Sequence, residues 1–278
     1  MFEGFEPVSI KTSSHPEEVT ISGLKSHNTT NPDLPAILLL HGFPQTLHIW
    51  HRVAPHLTST YNVVLLDLRG YGASSKPDDI SCYAKSAMAR DCALVMEHLG
   101  HRTFHVCAHD RGARVAHKLC VDYPDMVTGA IFLDICPTLV MYETTNFDFA
   151  KAQIAETFMG GRQTGGLSIF TEECFEKYVE NLSDPATVHA MCQDYRASAS
   201  LDMEEQRRDL AEGRHIKCPL RVLWGKHGVI EKGYDAVAEW KKVTEPGVSV
   251  DGYAVDSGHY VPEQAPDEVV SAIREFLI

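Results

Sequence analysis

Residues 104–112 read Phe-His-Val-Cys-Ala-His-Asp-Arg-Gly. The first five form a short apolar run of the kind that makes a buried parallel strand, and the stretch from Arg114 to Tyr123 beyond them has helical period. Between the two, Ala108-His109-Asp110-Arg111-Gly112 sets small residues around a central Asp. Small–x–nucleophile–x–small is the pattern of the nucleophile elbow, a sharp strand-to-helix turn that needs small neighbours around one strained residue. Read alone, Asp110 is either that nucleophile or a helix N-cap, a position that Asp also favours.

Working outward, similar apolar runs stand at Ala36–Leu40, Asn62–Leu66, Gly129–Leu133 and Leu220–Trp224, with a weaker one at Val248–Val250 leading on to Tyr253–Val255. Helical stretches such as Ala87 to Leu99 lie between them. This alternation predicts an α/β fold with a mostly parallel, doubly wound sheet, whose ligand-handling residues sit just after the strands. It stops between about Pro137 and Lys217, where Glu, Met, Phe and Tyr recur at helical spacing around the glycine-rich stretch Gly160–Gly166. The expected organisation is a core of residues 1–137 and 218–278 with an inserted helical cap, or lid, over 138–217.

Two more loops bear on chemistry. His41-Gly42-Phe43-Pro44 follows the Leu38–Leu40 strand, where hydrolases of this type place an oxyanion loop. The N–H groups of Phe43 and Arg111 would then face a developing oxyanion. After the last strand, Asp256-Ser257-Gly258-His259-Tyr260 offers His259 as a catalytic imidazole. Its carboxylate partner follows by elimination. The loop after Leu220–Trp224 reads Gly225-Lys226-His227-Gly228 with no acid before Glu231, whereas Asp134 stands at the end of the preceding strand. Asp134 is thus expected to orient His259.

Composition narrows the class. The chain has 278 residues, 44% of them hydrophobic and 23% charged, which are ordinary globular values. A net charge of −13 argues against a nucleic-acid partner. No apolar run approaches the length of a membrane span, and the N-terminus lacks the pattern of a signal peptide, so a cytoplasmic protein is expected. The eight cysteines show no zinc-ligand spacing, and most read as buried free thiols; no cofactor or metal is expected.

The strings LLLHGFPQTLHIWHRVAPHL (38–57), HDRGAR (109–114), LDICPT (133–138), MCQDYRASA (191–199) and SGHYVPEQAPDE (257–268) resemble the fluoroacetate (haloacetate) dehalogenases of the α/β-hydrolase superfamily. The likeness runs over nearly the whole chain. It implies Asp110 as nucleophile, His259 as base and Asp134 as its partner. It also implies Arg111 and Arg114 as a clamp on a substrate carboxylate, and Tyr195 as a holder of the departing halide. The residues agree with this in kind: a carboxylate can displace a leaving group from an sp³ carbon, and two arginines one turn apart at a helix start can offer guanidinium forks to one small anion. A homodimer is the family's expectation.

One departure stands out. The family's lid carries an adjacent His-Trp pair that completes the halide pocket. Here the lid runs Phe149-Ala150-Lys151-Ala152-Gln153-Ile154-Ala155-Glu156-Thr157-Phe158, and no His-Trp pair occurs in the chain. Three readings therefore stand: a hydrolase of 2-haloacids, with leaving groups better than fluoride; an epoxide hydrolase using the same Asp110–His259–Asp134 set, with Tyr195, helped by Tyr142, as proton donor; and a binding protein that has kept the fold without turnover.

Overall fold

The computed structural model describes residues 1–27, 33–146, 148–152 and 165–277. Residues 153–158 of the lid run and 160–164 of the glycine-rich stretch lie outside the described residues. Eight strands form one sheet: β1 (Phe5–Ser13), β2 (Val19–Ser26), β3 (Ala36–Leu40), β4 (Asn62–Leu66), β5 (Phe104–His109), β6 (Val127–Leu133), β7 (Leu220–Gly225) and β8 (Val250–Val255), in the order β1-β2-β4-β3-β5-β6-β7-β8. The first two pairings, β1 with β2 and β2 with β4, are antiparallel, and the other five are parallel.

Strands β3 to β6 are continuous apolar runs because both faces of the sheet are covered. Ile37, Leu39, Val63 and Leu65 pack on one side against Trp50, Val269 and Ile273. Leu38, Leu40, Val64 and Leu66 point to the other, where α1 (Lys85–His98) contributes Met88 and Met96, and α2 (Arg111–Asp122) contributes Val115 and Leu119. The hairpin β1–β2 is the element that the sequence reading did not anticipate. In β1, Val8, Ile10 and Thr12 are buried while Pro7, Ser9 and Lys11 are exposed. That half-polar alternation, normal for an antiparallel strand at a sheet edge, lacks the unbroken apolar run of the inner strands.

Strand β3 has β4 on one side and β5 on the other, so the chain reverses its direction of winding there. The crevice beyond the carboxyl ends of β3 and β5 is where open α/β sheets bind ligands. Between β6 and β7 the described residues of the chain form mainly helices. They include α3 (Thr138–Thr144) and the helices Glu172–Ser183, Pro185–Ser198 and Leu201–Ala211.

Candidate active site

The turn after β5 is strained in the way an elbow requires. Asp110 has φ 48° and ψ −118°, a left-handed backbone that costs a non-glycine residue energy. Although Asp110 stands at the N-cap position of α2, its carboxylate makes no capping hydrogen bond. Oδ1 instead accepts from the Phe43 N–H at 2.9 Å. Neighbouring glycines make room. A Cβ on Gly42 would lie 2.5 Å from both Cβ and Oδ1 of Asp110, and one on Gly112 would lie 2.3 Å from the His41 carbonyl oxygen. Arg111 opens α2, so its N–H is one of the first-turn donors that no helix carbonyl can take.

His41 holds the facing loop. Burial pushes its pKa down to about 4, so the ring is neutral: Nε2 accepts from the Leu68 N–H at 3.0 Å and Nδ1 donates to the Gly42 carbonyl at 2.9 Å. The same loop carries the Phe43 N–H, which explains why a histidine precedes Gly42-Phe43.

Asp134 and His259 meet as expected. Asp134, also left-handed at φ 51°, ends β6; its Oδ2 lies 2.7 Å from His259 Nδ1, and its Oδ1 accepts from the Gly225 N–H at 2.9 Å. Gly225 admits the histidine loop closely, since a Cβ there would stand 2.1 Å from the Gly258 carbonyl oxygen. Nε2 of His259 lies 3.9 Å from Asp110 Oδ2. Burial works to raise the Asp110 pKa, but the His259 and Arg111 charges and the Phe43 N–H outweigh it and hold the carboxyl below its ordinary value. His109, buried and with its pKa pushed down to about 3, bonds through Nε2 to the His259 carbonyl oxygen at 2.8 Å and so fixes the loop from behind.

A cavity of about 200 Å³ opens beside Asp110, lined also by Arg111, Arg114, Met141, Tyr142, Thr145 and Tyr195. The two arginines differ sharply. Arg111 donates from Nε to Asp194 Oδ2, and from Nη2 to Asp194 Oδ1 at 2.8 Å, to the Asp194 carbonyl at 2.9 Å and to Ser198 Oγ at 2.6 Å. Only Nη1 stays outside these bonds, so the two-armed clamp of the sequence reading is reduced on this side: a buried carboxylate already occupies most of the Arg111 fork. Arg114 is 5% exposed, yet among the described residues its Nε and Nη1 have no hydrogen-bond partner, and Nη2 touches the Met141 sulfur at 3.3 Å. The Tyr142 ring lies 5.5 Å from its guanidinium carbon.

Tyr195 stacks its ring 4.0 Å under the Arg111 guanidinium and meets Phe43 edge-on at 5.3 Å. Its hydroxyl makes no hydrogen bond among the described residues. Asp194 is a residue of this cluster that the sequence does not single out. It lies in the MCQDYRASA string beside Tyr195, completely buried, and also accepts from Lys85 Nζ at 2.5 Å and from the Tyr71 hydroxyl at 3.2 Å. Burial alone would raise its pKa, but Arg111 and Lys85 hold it far below the usual carboxylate range.

Fold and site together define a class. The sequence profile of the alpha/beta hydrolase fold matches residues 35–163, and a Burkholderia sp fluoroacetate dehalogenase is 37% identical over all of this chain and 95% of its own length. The chain belongs to the α/β-hydrolase fold family and is an enzyme of that superfamily. It is also similar to a soluble epoxide hydrolase of Corynebacterium sp. (strain C12), at 28% identity over 93% of this chain and 96% of the relative. Among solved structures, a Nostoc sp PCC 7120 protein assigned to the alpha/beta hydrolases superposes with a TM-score of 0.89 at 37% identity, covering 100% of this chain and 99% of the other. No helix among the described residues is long and apolar enough to cross a membrane.

Proposed function

We propose that this hydrolase works through an aspartyl ester, with Asp110 as nucleophile, on a small substrate that carries a carboxylate, most simply a 2-haloacid. The observation that carries the reading is Arg114: a buried cation with two nitrogens that have no partner among the described residues, in the wall of the cavity that Asp110 also lines. A buried guanidinium without an anion is costly, and a substrate carboxylate is the group that satisfies it. Residues 138–217 act as the cap of this site, and the one remaining nitrogen of Arg111 assists Arg114.

Asp110 Oδ2, the oxygen not held by Phe43, attacks the carbon bearing the halogen; the carbon–halogen bond breaks and halide departs with the electron pair beside Tyr195. His259 Nε2 then takes a proton from water, and the hydroxide adds to Asp110 Cγ. The N–H groups of Phe43 and Arg111 stabilise the resulting oxyanion. Collapse expels the 2-hydroxyacid, whose oxygen receives the proton from the His259 imidazolium, which Asp134 stabilises meanwhile. Asp110 returns with one oxygen from water.

A second reading is ring opening of an acidic epoxide by the same residues. The unbonded Tyr195 hydroxyl favours it, because an oxirane oxygen needs a proton donor where a halide does not. Single turnover in ¹⁸O-water with chloroacetate, fluoroacetate and an acidic epoxide separates the two. Label in the Asp110 peptide together with halide release is the expected result, and His259→Asn should accumulate the ester. Label with the epoxide alone transfers the assignment to ring opening; no label and no trapped adduct with any of the three sinks the ester mechanism for these substrates.

A further inference from the structure

Four residues beyond His259, three side chains from distant parts of the chain converge. His51 follows the 3₁₀ turn Leu47–Trp50, Cys174 sits in the first turn of the helix Glu172–Ser183, and Glu263 lies on the helix Val261–Gln264. One ligand atom from each falls within 4.8 Å of the other two. Cys174 Sγ is 3.3 Å from His51 Nδ1, and His51 Nδ1 is 3.5 Å from Glu263 Oε2. Around tetrahedral zinc, the usual metal–ligand lengths imply sulfur–nitrogen and nitrogen–oxygen separations of about 3.6 Å and about 3.4 Å.

Glu263 supplies the independent reason to look for a cation. The residue is 1% exposed, and its Oε2 has no hydrogen-bond partner among the described residues, although it is aimed at this cluster. Its other oxygen accepts from the Tyr178 hydroxyl at 2.6 Å, the kind of outer contact that orients a ligating carboxylate. A cavity of about 430 Å³, lined by Glu263, Gln264, Ser257 and Arg52 among others, borders the helix that carries this carboxylate.

We propose that Cys174, His51 and Glu263 form a zinc site that clamps the helix Glu172–Ser183 onto the loop carrying His259, with water as fourth ligand. On binding, the Cys174 thiol loses its proton to solvent and its sulfur bonds the metal. His51 binds through Nδ1 after the proton on that nitrogen shifts to Nε2, giving up its 3.0 Å hydrogen bond to the His48 carbonyl. Zinc neither gains nor loses electrons.

The test is cobalt(II) titration of the full chain after chelator treatment, read by the thiolate-to-cobalt absorption band, alongside thermal unfolding with and without zinc. One cobalt per chain with that band is expected, together with a zinc-dependent rise in unfolding temperature. Both should vanish in Cys174→Ala and persist in Cys192→Ala, which removes the exposed cysteine. Tyr178→Phe, which leaves all three ligands in place, should weaken metal binding about tenfold or more. No band in the wild-type chain, a band that survives Cys174→Ala, or unchanged affinity in Tyr178→Phe overturns the proposal.

Discussion

Replacing Asp194 by Asn removes one negative charge and leaves two cations, Arg111 and Lys85, facing a neutral amide in a fully buried place. Lys85 keeps a second carboxylate, Asp202 Oδ2 at 3.3 Å, but no other ion pair of Arg111 is present among the described residues. Breaking one side of a buried pair typically costs 3–5 kcal/mol, because the remaining charge is left without compensation. That is a large share of the roughly 5–15 kcal/mol that keeps a protein folded. We therefore expect Asp194→Asn to lose ~3–5 kcal/mol in urea unfolding and to melt roughly 10 °C lower. The diagnostic step is the double-mutant cycle with Arg111→Met. Removing both charges should recover most of the loss, with a coupling energy of ~2 kcal/mol or more. A single-variant loss below ~1 kcal/mol, or strictly additive variants, would refute the idea that this pair, rather than helix packing alone, joins the helix Pro185–Ser198 to the elbow.

Three shorter expectations accompany it. Gly42→Ala puts a methyl group 2.5 Å from Asp110 Oδ1 and displaces the Phe43 N–H, so kcat should fall ~100-fold or more while the far-ultraviolet circular dichroism is unchanged. Arg114→Met should lower kcat/KM for an anionic substrate about 100-fold, the worth of two charge-assisted hydrogen bonds, yet leave the protein equally or more stable in urea. Asp67 is buried, and burial pushes its pKa up to about 6. Between about pH 4 and 6 the folded protein therefore holds a proton that the unfolded chain has lost, so this group's contribution to stability falls by ~3 kcal/mol as pH rises through that window. Stability measured against pH should lose this segment of slope in Asp67→Asn; an identical slope in both proteins would contradict the assignment.

What could be read from the sequence follows from local physics. Strands β3 to β6 are covered on both faces, so they appear as unbroken apolar runs, while β8 buries Val250 and Val255 only at its ends and gives a faint signal. That Asp110, Asp134 and His259 come together could be anticipated because each follows a strand, where the loop chemistry is confined to a few residues. The place of Asp194 could not: a carboxylate in mid-helix looks like a solvated surface charge until its partners, Lys85 and Arg111, are brought to it from far along the chain. The cluster of His51, Cys174 and Glu263 escaped for the same reason, since side chains drawn from residues 51, 174 and 263 have no spacing to recognise.

The unequal fates of the two arginines bear directly on specificity. Two adjacent guanidinium groups in one cavity would ordinarily call for two negative charges. Asp194 supplies one of them from within the protein, against Nε and Nη2 of Arg111, so among the described residues the pair presents close to a single uncompensated positive charge, centred on Arg114. A monocarboxylate matches that charge; a dianion leaves one of its own charges buried and unpaired, at a cost of several kcal/mol. Substrate choice in the proposed reaction thus rests on Asp194 as well as on Arg114, and loss of the Asp194 charge should shift preference toward substrates with two carboxylates even where the fold survives.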